Sequence, residues 1–127
     1  MFKLGKRSIA NLEGVHPALV CVVVRALEIT EVDFAVIEGV RSRERQAKLV
    51  AKGASMTMNS RHLTGHAVDL AAWVDGGIRW DWPLYYKLAA AMKQASEEMN
   101  IQITWGGDWK KFKDGPHFQL KWHFYPA

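Results

Sequence analysis

The chain has little cysteine and no long apolar run, and these two features exclude several classes of protein. A single cysteine among 127 residues cannot form an internal disulfide or a thiolate zinc site. Cys21 stands in an apolar run over 18–24, which predicts a buried thiol and a reducing compartment. No stretch reaches the roughly 20 apolar residues of a membrane span, so stable membrane insertion is not expected. The opening residues also lack the apolar core of a secretory signal peptide.

Repeats, low-complexity tracts and linkers are absent as well, and the length suits one domain over residues 1–127. The net charge of +4 favours an encounter with a polyanion, whether nucleic acid, anionic lipid or cell-wall polymer. The basic stretch 41–52 is typical of the solvated face of a helix, so nucleic acid is not expected as a partner. Six tryptophans predict core packing for most of them, with a sugar- or peptide-lined groove as the alternative.

Apolar spacing and turn residues predict an α+β domain with a mostly antiparallel sheet flanked by helices. Helices are expected at 8–14 with Ser8 as N-cap, at 17–29, at 42–52 before Gly53, and at 83–99. Strands are expected at 34–40, 67–74, 78–80, 101–105 and 117–121, with a tight turn at 75–77. Polar loops are expected at 54–65 and 106–115.

Two short motifs carry the candidate chemistry, H-L-T-G-H-A-V-D over 62–69 and D-G-P-H over 114–117. Two imidazoles and one carboxylate are a common ligand set for a catalytic zinc ion, because three protein ligands leave the fourth position open for water. A further carboxylate, Asp114, stands three residues before the last histidine and could serve as the base that activates this water. The motifs therefore suggest a small zinc hydrolase.

Strand geometry indicates which of these residues can meet at one ion. Asp69 shares a face of its predicted strand with small alanines, and the Gly65 turn lets His62 fold back toward it. His117 converges on the same point if its strand is a neighbour of the Asp69 strand. We therefore predict one zinc ion bound by His62, Asp69 and His117. The alternative is that Asp69 is an ordinary hydrogen-bonded acid and that both histidines are structural.

The remaining histidines are weaker candidates for metal ligands. His62 and His66 stand at i and i+4, but a helical zinc motif of this spacing requires glutamate where Leu63 stands. His66 is therefore not expected to bind metal. His16 precedes a proline at a predicted helix start, and His123 lies beyond the last predicted strand, so neither is expected to be a ligand.

The sequence resembles a known family at these motifs. The pattern S-x-H-x-x-G-x-A-x-D over 60–69, followed by carboxylate-x-x-H, is similar to the zinc D-Ala-D-Ala carboxypeptidase and dipeptidase family of cell-wall enzymes. The likeness is closer to its phage branch, the L-alanyl-D-glutamate endopeptidases that act as endolysins. Further shared features are the opening at 2–8, Gly39-x-Arg41-Ser42, and W-G-G-D-W over 105–109.

The resemblance implies a fold of the hedgehog and DD-peptidase type and a role for each motif residue. It implies one zinc ion held by His62, Asp69 and His117, Asp114 as general base, Arg41 polarising the substrate carbonyl and its oxyanion, and Ser60 near the substrate backbone. Without the resemblance, Arg41 would be interpreted as a surface ion-pair residue. Pro116 departs from the glycine that phage relatives tend to have, and it stiffens the turn after Asp114.

The substrate implied by the resemblance is the peptidoglycan stem peptide, cut at its L-Ala–D-Glu bond. An endolysin of this kind is made in the host bacterial cytoplasm, is released through a holin lesion and acts on the cell wall. We expect a monomer without a separate wall-binding domain, whose basic surface supplies affinity for the wall. The alternatives are a D,D-carboxypeptidase that trims terminal D-Ala and a non-catalytic zinc module, which would have no need of Asp114 or Arg41.

Overall fold

The structure is a computed structural model that describes residues 2–55 and 57–126. Its helices are α1 (Lys6–Asn11), α2 (Pro17–Ile29), α3 (Arg43–Ala51) and α4 (Trp82–Met99). Its strands are β1 (Phe34–Glu38), β2 (Ala67–Val74), β3 (Gly77–Arg79), β4 (Ile103–Trp105) and β5 (His117–Leu120). Short 3-10 helices span Arg61–Thr64 and Gly106–Asp108. None of the helices in these described ranges has the length and hydropathy that a membrane span requires.

The sheet has the strand order β1-β2-β5-β4, with β3 paired to the end of β2. Every pairing among the described strands is antiparallel, which confirms the predicted α+β class and mostly antiparallel sheet. Asp69 of β2 lies opposite His117 of β5 on one side and Glu38 of β1 on the other. The register therefore brings polar residues of these strands side by side.

The apolar core lies between the sheet and helices α2 and α4, which pack along each other. The α2 side chains at helical spacing are buried, as predicted: Leu19, Val22, Val23, Ala26 and Leu27. Val68 and Leu70 of β2 belong to the same core, and burying each such side chain stabilises the fold by about 1.5–3 kcal/mol. Because neighbouring strand residues point to opposite faces, Asp69 lies on the face of β2 away from this core.

The first helix begins earlier than predicted. It starts at Lys6 with Gly5 as N-cap, so the prediction of Ser8 as N-cap is wrong. Ser8 is instead buried within the helix, and its Oγ accepts a hydrogen bond from the Val36 N–H at 3.0 Å. The hydroxyl thus satisfies a strand N–H where α1 packs against β1.

Strand β1 ends at Glu38, two residues short of the prediction, because its pairing register slips between Val36 and Glu38. Such a bulge bends the strand and redirects the residues that follow. Gly39 and Arg41 thereby turn toward His62, whose backbone carbonyl accepts from the Arg41 N–H at 2.9 Å. Helix α2 and strand β2 have the predicted bounds, and the remaining strands and helices differ from them by one or two residues at their ends.

Two predictions about burial are wrong. Cys21 is exposed, because the helical period that turns Leu19 and Val22 inward places position 21 on the outer face of α2. The helical period therefore predicts the exposure of Cys21 better than the apolar run around it does. Most of the tryptophans are also outside the core: Trp105 is buried, whereas Trp73, Trp80, Trp82 and Trp122 are exposed.

Gly39 directly follows β1 and lies close to the end of α1. We expect its replacement by alanine to destabilise the fold. A Cβ at this position would lie 1.8 Å from the Asn11 carbonyl oxygen, so the backbone must shift. We expect Gly39→Ala to lower the free energy of unfolding by at least about 2 kcal/mol in urea titrations. Gly77→Ala is the matched control, since its Cβ would meet nothing within 4 Å. Equal stability of the two variants would contradict the expectation.

Candidate metal centre

The local backbone brings His62 to the sheet. Ser60 is the N-cap of the 3-10 helix over 61–64, and its hydroxyl accepts from the His62 N–H at 3.2 Å. Gly65 ends this helix in the left-handed conformation, with φ of 76°, and passes so close to Gly14 that a Cβ would lie 2.4 Å from the Gly14 carbonyl oxygen. Only glycine suits both conditions, and the reversal places the His62 ring over β2.

Three side chains converge on the face of the sheet away from the core. The Asp69 Oδ1 lies 3.2 Å from the His62 Nε2 and 3.4 Å from the His117 Nδ1. One ligand atom from each residue lies within 4.8 Å of the other two. This His-Asp-His group is the one in the described ranges that could hold a metal ion, and its nitrogen and oxygen donors are consistent with zinc.

Each histidine of this group has a second partner outside the group, and its other ring nitrogen faces Asp69. The His62 Nδ1 donates to the Gly39 carbonyl oxygen at 2.8 Å, which leaves its Nε2 facing the Asp69 Oδ1 at 3.2 Å. The His117 Nε2 donates to the Gln119 Oε1 at 2.8 Å, which leaves its Nδ1 facing inward. Partners of this kind fix the tautomer and orientation of ligating histidines. Sequence analysis gave Gln119 no role.

Burial and hydrogen bonding shift the ionisation of this group in the metal-free chain. Burial alone would raise the pKa of Asp69, but the hydrogen bonds from His117 and His62 outweigh it and hold that pKa well below its usual range. Burial likewise opposes charge on His117, yet the hydrogen bond and charge of Asp69 raise its pKa above the ordinary value. The Asp69 carboxylate is therefore charged, and its charge would attract a cation to the space between the two histidine rings.

Asp114 lies in a tight turn beside this group. Its N–H donates to the Gly106 carbonyl oxygen at 3.0 Å, and its own carbonyl accepts from the His117 N–H at 3.2 Å. A Cβ on Gly106 would lie 2.4 Å from the Asp114 carbonyl oxygen, so glycine permits this approach. Burial, and then the negative charge of Asp69, raise the pKa of the Asp114 carboxyl. Pro116 fits the turn, since its carbonyl accepts from the Leu70 N–H at 2.9 Å.

Arg41 is a largely buried residue of the site and not a surface ion pair. Its side chain is 8% exposed, and its Nη2 lies 3.6 Å from the Asp69 Oδ2. Both carboxylate oxygens of Glu38 accept from it at 2.8 Å, through Nε and Nη2. The Gln46 Oε1 accepts from its Nη1, also at 2.8 Å. Sequence analysis missed Glu38 and Gln46, although Glu38 precedes the arginine by three residues.

The predicted site residues line one cavity of about 760 Å³: Arg41, Ser60, His62, Asp69, Asp114 and His117. Aromatic side chains form part of its wall, among them Trp109, whose ring centroid lies 5.0 Å from that of His117. His66 does not line this cavity, and its Nδ1 lies 2.7 Å from the Thr64 Oγ1. His16 is the N-cap of α2, where its Nδ1 accepts from the Ala18 N–H.

The fold is similar to those of solved bacterial peptidases. The Serratia marcescens L-Ala D-Glu endopeptidase ChiX matches with a TM-score of 0.94 and 49% identity, over 99% of this chain and 95% of that chain. The vancomycin-resistance D,D-dipeptidase VanXYg shares the fold with a TM-score of 0.59 at 19% identity, over 84% of this chain and 50% of its own.

The particular family follows from sequence. The model of the phage L-alanyl-D-glutamate peptidase family matches residues 1–121. The L-alanyl-D-glutamate peptidase of Escherichia phage T5 is 36% identical over 117 residues, which cover 89% of this chain and 85% of that protein. The chain therefore belongs to the phage L-alanyl-D-glutamate peptidase family, and the resemblance drawn from its motifs is confirmed.

Proposed function

We propose that this chain is a zinc-dependent endopeptidase that hydrolyses the L-Ala–D-Glu bond of the peptidoglycan stem peptide. The observation that carries the proposal is the convergence of the His-Asp-His group, an acid and a guanidinium on one cavity, in a chain of this family. A non-catalytic zinc module has no use for the acid and the guanidinium, so their burial beside the histidines favours an enzyme.

One zinc ion would be held by the His62 Nε2, a carboxylate oxygen of Asp69 and the His117 Nδ1. The residues fit this ion, because both inward nitrogens are free of other partners outside the group and the carboxylate is charged. When bound, zinc supplies a Lewis acid that polarises the scissile carbonyl and acidifies a water molecule. Gly39 and Gln119 hold the two rings in the orientation that this ion requires.

Asp114 acts as the general base in this proposal. Its carboxylate takes a proton from the attacking water and passes that proton to the leaving amine of D-Glu. The raised pKa of the carboxyl suits both transfers, since a base whose pKa lies nearer the working pH also returns the proton more readily. The turn over 114–117 ties Asp114 to His117 and so fixes its distance from the ligand group.

Arg41 stabilises the negative oxygen that develops on the scissile carbonyl. Its guanidinium is held in a fixed orientation at the cavity wall, and loss of one such donor commonly costs about 10²–10³ in rate. Ser60 is the N-cap of the 3-10 helix and lines the cavity, where it would contact the substrate backbone. The net charge of +4 suits an encounter with the free carboxylates of the stem peptide.

The biological setting is a further part of the proposal. The chain acts as an endolysin: it is made in the host cytoplasm, reaches the wall through a holin lesion and works as a monomeric single domain over residues 1–127. Its net charge of +4 supplies attraction to the anionic wall. Neutralising exposed lysines should weaken wall binding and its salt dependence if this is correct.

Mass spectrometry of purified peptidoglycan digested by the zinc-loaded chain tests the proposed activity. We expect free stem peptides that begin with D-Glu, which are absent when the chain is omitted. Release of D-alanine alone would instead assign a D,D-carboxypeptidase. Intact peptidoglycan after incubation with folded, zinc-bound protein would favour the non-catalytic module.

A further inference from the structure

Gln46 is a fully buried amide in a helix whose other residues are partly or fully exposed. It lies on α3 with none of its surface accessible to solvent. Burying an amide is unfavourable unless its donors and acceptor find partners, and here all of them do. The Oε1 accepts from the Arg41 Nη1 at 2.8 Å, and the Nε2 donates to the Ser55 Oγ at 2.8 Å and to the Thr57 carbonyl oxygen.

The acceptor end of Gln46 determines how Arg41 presents its guanidinium. Glu38 binds one edge of the planar group through Nε and Nη2, and Gln46 binds the other nitrogen, Nη1. A planar guanidinium held on both edges cannot rotate about its stem. Its Nη2 then remains 3.6 Å from the Asp69 Oδ2, next to the candidate metal group.

The donor end of Gln46 holds a segment of the cavity wall. Ser55, Thr57, Asn59 and Ser60 all line the cavity that contains the His-Asp-His group. Ser60 is also the N-cap of the 3-10 helix that carries His62. One side chain on α3 therefore connects the arginine with the segment that faces the substrate.

We propose that Gln46 is a positioning residue that couples Arg41 to the cavity-lining residues Ser55, Thr57, Asn59 and Ser60. The inference rests on the proposed function for its kinetic consequences. The acceptor end keeps the guanidinium aimed at the developing oxyanion and so supports kcat. The donor end keeps the segment in its substrate-binding position and so lowers KM.

Two substitutions separate these ends. Gln46→Glu keeps an acceptor for Arg41 but cannot donate to Ser55 or to the Thr57 carbonyl. Gln46→Met has similar volume and makes neither kind of hydrogen bond. Gln94→Met on α4 is the matched control, because Gln94 is an exposed glutamine whose amide bonds Glu98. Zinc affinity and thermal unfolding are measured for each variant beside kcat and KM on a stem peptide.

We expect Gln46→Met to lower kcat by about 10–100-fold and to raise KM, as loss of a supporting partner commonly does. Gln46→Glu should raise KM at least about fivefold and keep kcat within about threefold of the parent, because the Arg41 contact survives. Equal losses of kcat in both variants, or values in both that match Gln94→Met, would overturn the proposal. If Gln46→Met fails to fold, the KM and kcat of Gln46→Glu decide the matter.

Hydrogen exchange provides a readout that does not depend on activity. The backbone N–H groups of Ser55, Thr57, Asn59 and Ser60 should exchange faster in both Gln46 variants, and the Arg41 side-chain N–H groups should exchange faster in Gln46→Met alone. Unchanged exchange at both places would overturn the inference even in an active enzyme. A parent chain that fails to cleave peptidoglycan would refute the proposed function, while the exchange rates would still decide whether Gln46 holds both elements.

Discussion

Asp114→Asn should lower kcat by about 10²–10⁴-fold, the usual contribution of a positioned general base. Asparagine keeps the shape of the side chain and the backbone hydrogen bonds of the turn to Gly106 and His117. It cannot accept a proton from water or deliver one to the leaving amine. Zinc affinity and the unfolding midpoint should stay close to those of the parent, because the carboxylate is not one of the converging ligand atoms.

The measurement is single-turnover cleavage of a stem peptide by zinc-loaded protein. Asp108→Asn is a suitable control, since Asp108 lies at the other end of the same loop, where it is exposed and pairs with Lys93 at 3.0 Å. It should keep nearly full activity. A rate for Asp114→Asn within tenfold of the parent would remove Asp114 from the mechanism and point to another base.

The convergence of His62, Asp69 and His117 could be predicted from the sequence because local rules govern most of its parts. Alternation along a strand puts Asp69 away from Val68 and Leu70 whatever the rest of the fold does. The serine and glycine around His62 indicate a short turn that returns the chain. What spacing alone could not decide was that β2 and β5 are neighbours, because strand order depends on packing across the whole sheet.

The partners of Arg41 could not be predicted for the same reason. Glu38 and Gln46 contact it through a bulge at the end of β1 and through one inward position of α3, and neither feature has a signature in composition. The α3 sequence is charged enough to suggest full exposure. Gln46 is nevertheless fully buried, because its amide is surrounded by hydrogen-bonding partners on Arg41, Ser55 and Thr57 rather than by an apolar core.

His117→Ala should weaken zinc binding more than the substitution of any residue outside the ligand group. Removal of an outer partner typically costs about 10–100-fold in metal affinity, so we expect Gln119→Leu to fall in that range. His117→Ala should exceed it, because it removes a donor atom rather than its support. His66→Ala should leave the affinity unchanged, since the His66 ring bonds Thr64 and does not line the cavity. Competition with a zinc-chelating dye measures all of these variants.

The same titration carried out against pH tests the electrostatics of the group. His117 must be neutral to offer its Nδ1 to a metal ion, so a proton competes with zinc for that atom. Burial opposes this proton, but the hydrogen bond and charge of Asp69 outweigh burial and raise the pKa of His117 above 6.5 in the metal-free chain. Zinc affinity should therefore fall as the pH is lowered through that raised pKa, beginning at a higher pH than an ordinary histidine would give. An affinity that stays flat until well below pH 6.5, or an equal loss in His66→Ala and His117→Ala, would show that zinc binds elsewhere.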